Sequence, residues 1–123
     1  MEGGGFISYG KSEKEIVRMG LPAIRAVLLG PDAGAKRRLL LALDWFMDPY
    51  YQQDILDIRD GLAELLQQVV VSAGDLDAAE DALGLLGDYE WPPFPILEQN
   101  FDHIPDPLKS CARSVISMDR DLD

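Results

Sequence analysis

Apolar residues recur at helical spacing along most of this chain. In the stretch Gln52–Ala73, Ile55, Ile58, Leu62, Leu65, Leu66 and Val69 share one side at about 100° per residue. Asp57, Asp60, Glu64 and Gln67/Gln68 fall on the other side, so this stretch predicts a long amphipathic helix. Upstream, Ser12-Glu13-Lys14-Glu15 has the form of a capping box and predicts a helix carrying Ile16, Val17 and Met19 inward. Gly20-Leu21-Pro22 interrupts it, since a proline inside a helix loses a hydrogen bond and clashes with the preceding turn; Ala23–Leu29 resumes it, and Gly30-Pro31 ends it. Asp32 is placed to cap the next helix, which runs to about Met47 before a turn at Pro49-Tyr50-Tyr51. Asp75 or Asp77 caps a helix with Leu76, Ala79, Leu83 and Leu86 inward. The stiff connector Trp91-Pro92-Pro93-Phe94-Pro95 leads to a helix over Pro95–His103, and Pro105-Asp106-Pro107 precedes a last one over Leu108–Met118. No stretch alternates with hairpin turn signals, so the expected class is all-α with five to seven helices.

Two stretches echo each other. Gly30–Asp57 and Gly74–Glu98 align as Gly30/Gly74, Ala35/Ala79, Leu39/Leu83, Leu41/Leu85, Asp44/Asp88 and Trp45/Tyr89, an offset of 44. Ile55-Leu56-Asp57 then meets Ile96-Leu97-Glu98 at an offset of 41. A helical unit recurring at about 40–45 residues resembles HEAT and armadillo repeats. The resemblance covers roughly Ile16–Met118 and implies a short right-handed stack of antiparallel helix pairs, with one truncated and two fuller units. The proline breaks and the missing first outer helix depart from regular repeats. On this reading residues 1–11 form a disordered Gly-rich segment, 12–118 one repeat domain, and 119–123 an acidic tail. The Asp-aromatic pairs read as packing features at the turn of each unit.

Charge sharpens the picture. Residues 1–50 hold seven basic and six acidic side chains, net +1, whereas residues 51–123 hold four and sixteen, net −12. Such a surface repels nucleic acid and anionic membranes and favours a cationic protein partner. The bland alternative is that the charge serves solubility alone. Apolar runs such as Leu39–Leu43 are too short to span a bilayer, and no signal-peptide stretch opens the sequence. A single cysteine, Cys111, excludes an intrachain disulfide and fits a reducing cytoplasm.

Catalytic chemistry finds little support. One His and one Cys make no zinc set, and no phosphate loop, dinucleotide fingerprint or nucleophile elbow is present. His103, beside a proline break, reads as a loop or cap residue, and Cys111 as a small core residue. Lys36-Arg37-Arg38 reads as a solvated face. Acids pair at helical spacing, but no calcium-loop pattern contains them, so neither a metal nor a cofactor is expected. The stripe Asp57–Asp60–Glu64 has no base one turn away that would neutralise it.

The segment ALGLLGDYEWPPFPILEQNF, followed by a proline-broken helix, also resembles small all-α immunity proteins of bacterial polymorphic-toxin systems. That resemblance implies a cytoplasmic, non-enzymatic inhibitor that occludes a basic toxin domain such as a nuclease. The alternative is a small HEAT-like adaptor or scaffold for a basic protein. In both, the expected docking residues are Asp57, Asp60 and Glu64, extended by Glu98 and Asp102, with Trp91 at the rim.

Overall fold

The computed structural model describes residues 11–47, 57–72, 76–90 and 92–117. Among these residues lie seven α-helices and no strand, as the periodicity predicts. They are α1 (Lys11–Met19), α2 (Leu21–Leu28), α3 (Ala33–Met47), α4 (Arg59–Ser72), α5 (Leu76–Tyr89), α6 (Pro95–Gln99) and α7 (Lys109–Ile116). Two 3₁₀ turns, Phe101–His103 and Asp106–Leu108, lie between α6 and α7. Several sequence expectations lie outside the described residues: the N-terminal segment, the Pro49-Tyr50-Tyr51 turn, Ile55, the Ala73-Gly74 stop, Asp75, Trp91 and the acidic tail. Contacts cluster into two units, Met1–Ile58 and Arg59–Asp123.

In the first unit α1 packs on α2 and α3, and α2 on α3. Val17, Ile24, Leu28, Leu39, Leu43 and Met47 are buried. Met19 is not; it is 71% exposed, because it lies two residues past Val17 and so on the far side of α1. Helix α1 begins at Lys11, which puts Ser12 inside the first turn instead of at the cap. The break between α1 and α2 belongs to Gly20, whose φ of 99° is open to glycine and strained for other residues. Pro22 sits in the first turn of α2, where its missing N–H is needed by no helical bond. The break therefore needs no proline clash. Gly30 follows the Leu29 cap of α2, where a Cβ would stand 2.7 Å from the Ala26 carbonyl oxygen. Asp32 caps α3 as expected, its Oδ1 accepting the Ala35 N–H at 3.1 Å. Arg38 reaches back to α1, with Nε 3.5 Å from Oε2 of the largely buried Glu13. Part of the basic run thus joins helices, since a carboxylate so shielded needs a partner.

In the second unit α4 packs chiefly on α5, and also on α6 and the turn Phe101–His103; α7 packs on α5 and α6. Leu62, Leu66, Val70, Ala79, Leu83, Leu86, Leu97 and Ala112 are buried. Gly87 lets α7 approach α5, for a Cβ there would meet Val115 Cγ2 at 3.3 Å. Three apolar residues depart from expectation. Leu76 opens α5 ahead of the core contacts and is 46% exposed. Cys111 is exposed, because Leu108, Ala112 and Val115 centre the buried stripe and leave it at the margin. Ile58, the last residue of the first unit, is half-buried in the turn before α4. The helix expected over Pro95–His103 divides at Asn100, which is bonded through its N–H and its Nδ2 to the Ile96 carbonyl. Asp44 and Asp88 lie in the last turns of α3 and α5, still inside their helices, and Trp45 is 44% exposed.

Candidate functional site

Helix α4 opens with Arg59 and Asp60, and its charges divide at once. The Arg59 guanidinium turns to the end of α5, where Nε lies 3.1 Å from Glu90 Oε2 and Nη2 donates to the Tyr89 carbonyl at 2.9 Å. A cation at a helix C-terminus satisfies orphan carbonyls and complements the macrodipole. Asp60 and, one turn on, Glu64 face solvent. Neither is paired with a described base, because the base nearest in sequence is engaged on α5.

The same stripe continues at Gln67, where its character changes. Gln67 is only 3% exposed, against the expectation that it faces water with the acids. Its Oε1 accepts two backbone N–H groups of α6, Ile96 at 3.0 Å and Leu97 at 3.3 Å, while its Nε2 donates to the Ala63 carbonyl at 3.4 Å. Helix α6 needs this acceptor. It starts Phe94-Pro95, with no side-chain cap of its own, so its first amides would otherwise be orphans. Burial of a polar side chain is tolerable when its polar atoms are satisfied this fully.

By this bond α6 is seated on the continuation of the Asp60–Glu64 stripe. It carries Glu98 in its first turn, exposed, and the following turn Phe101–His103, which also packs on α4, carries Asp102, exposed. Asp60, Glu64, Glu98 and Asp102 therefore belong to elements that pack together within one unit. Asp57 is exposed in the turn that ends the first unit, and Trp91 lies outside the described residues.

The unit's described bases are all engaged. Besides Arg59, Lys109 Nζ lies 3.0 Å from Asp106 Oδ1, and Lys109 and Arg113 stand 6.0 and 5.1 Å from the centre of the Phe101 ring. These are ion-pair and cation–π contacts. Residues 59–123 as a whole hold four bases and fourteen acids. Among the described residues no group of three or more His, Cys, Asp or Glu is placed to hold a metal ion. His103 is exposed in its 3₁₀ turn. No helix among the described residues is long and apolar enough to cross a membrane.

Three residues that shape this surface, Arg59, Glu90 and Gln67, are not marked by periodicity. Arg59 and Glu90 bracket the α4–α5 pair, and opposite charges at its two ends were a usable signal. For Gln67 the signal lay elsewhere, in a helix start at Pro95 with no capping residue before it. Comparison of the chain with protein-family models, curated proteins and solved structures gives no significant match.

Proposed function

We propose that this chain is a non-enzymatic protein inhibitor of the immunity type, acting in the bacterial cytoplasm on a basic toxin domain through residues 59–123. One observation carries the reading. In that unit the described bases are engaged internally, while Asp60, Glu64, Glu98 and Asp102 face solvent on elements that pack together. Opposed potentials steer such a surface onto a cationic partner and repel polyanions. The HEAT-like stacking belongs to the same reading, and the contacts of α4 with both α5 and α6 support it.

The test is capture by the tagged parent chain in its source cell, compared with the variant Asp60→Asn, Glu64→Gln, Glu98→Gln. A basic protein held by the parent and lost by the variant is expected. Its activity should fall to background at a one-to-one ratio. Binding without loss of activity assigns the chain to the adaptor class instead. An acidic or neutral partner held equally by both chains refutes the charge reading.

A further inference from the structure

We infer that the segment Pro92–Asn100 is a strap latched to α4 by a single side chain, Gln67, which acts as a positioning residue for Glu98. Three prolines, 92, 93 and 95, remove backbone donors from this segment, and its helix is five residues long. Its backbone bonds are local, such as Glu98 N–H to the Phe94 carbonyl at 3.0 Å. Among the described residues, the two hydrogen bonds tying its backbone to α4 end on one atom, Gln67 Oε1. Phe94 and Leu97 are buried and hold the strap against the unit. Apolar contact is non-directional, so it does not fix the rotation of α6 about its own axis. A shared acceptor reaching the second and third amides does fix it, and with it the direction of the exposed Glu98. Gln67 lies on the same stripe as Asp60 and Glu64, which makes this bond the register between the two parts of the acidic surface.

Amide hydrogen exchange on the chain alone tests this. Leaving both amides without an acceptor should raise exchange at Ile96 and Leu97 about tenfold to a hundredfold in Gln67→Leu. Amides of Leu66 and Leu86 should keep their parental rates. Gln67→Glu retains the acceptor oxygens and should return Ile96 and Leu97 to within about threefold of the parent, under half a decade. Parental exchange at Ile96 and Leu97 in Gln67→Leu overturns the inference, and so does an equal rise across α4 and α5. Should Gln67→Leu not fold, exchange of the parent in rising denaturant decides. The strap amides then open at lower cost than Leu66 and Leu86, or all open together and the latch is refuted. The role given to Glu98 rests on the proposed function, but the exchange measurement contains no partner. A failed latch thus shows in exchange, and a failed docking surface shows only in binding.

Discussion

The two units differ most in what they show to solvent. Residues 1–58 hold seven bases and eight acids, residues 59–123 four and fourteen. The near-neutral unit exposes Met19, Leu29, Leu41 and Trp45, whereas among large apolar residues the acidic one exposes Leu76. Their cations also work differently. Arg38 joins α3 to α1 while remaining 45% exposed itself, whereas Arg59 is drawn onto the end of α5 and is 29% exposed. A base spent inside its own unit leaves nearby carboxylates without compensation. The difference teaches that the field of residues 59–123 is set by its excess of acids over bases, and that where the few bases go decides which carboxylates stay uncompensated.

The largest effect should come from the core beneath that surface. Leu86 is fully buried, and Leu86→Ala should cost about 2–5 kcal/mol by chemical denaturation. An acidic shell with no apolar core under it would lose far less. Next, Asp60→Asn with Glu64→Gln should weaken partner binding about 30-fold, roughly 2 kcal/mol, with stability unharmed. Leu41→Ser in the other unit should leave binding within about twofold, well under 1 kcal/mol. If Leu41→Ser is the more damaging change, the roles of the units are reversed. Arg59→Ala strips a part-buried Glu90 of its partner and the Tyr89 carbonyl of a donor. It should cost about 1–3 kcal/mol, with Glu90→Gln in the same background recovering part of it. The smallest effect separates two glycines of α5. Nothing lies within 4 Å of a Cβ at Gly84, so Gly84→Ala should stabilise by about 0.5–1 kcal/mol. Gly87→Ala meets Val115 Cγ2 at 3.3 Å and should lose that gain or reverse it.

Helix positions were legible because burial at 3.6-residue spacing and the local caps agree. Asp32 stands where the pattern puts it, as do Leu39, Leu62, Leu83 and Leu97 in the core. The exposed carboxylates Asp60, Glu64, Glu98 and Asp102 were legible for the same reason. What periodicity cannot show is a contact across elements. Gln67 sits on a polar stripe and reads as solvated until α6 arrives to use it. Cys111 reads as core until the neighbouring helices choose Ala112 and Val115 as the centre of the stripe. The break falls where the sequence puts it but belongs to Gly20 and not to Pro22, since a sequence shows both residues and only geometry shows which one carries the positive φ.

The central claim is that residues 59–123 draw in a basic partner by charge. The measurement closest to it is the association rate of the chain with its captured partner, from low to physiological ionic strength, alongside the Asp60→Asn, Glu64→Gln, Glu98→Gln variant. The account predicts a rate that falls steeply with salt for the parent and a shallower slope for the variant, with the two converging as screening shortens the field. A parental rate indifferent to salt, or a variant with the parent's slope, would contradict it.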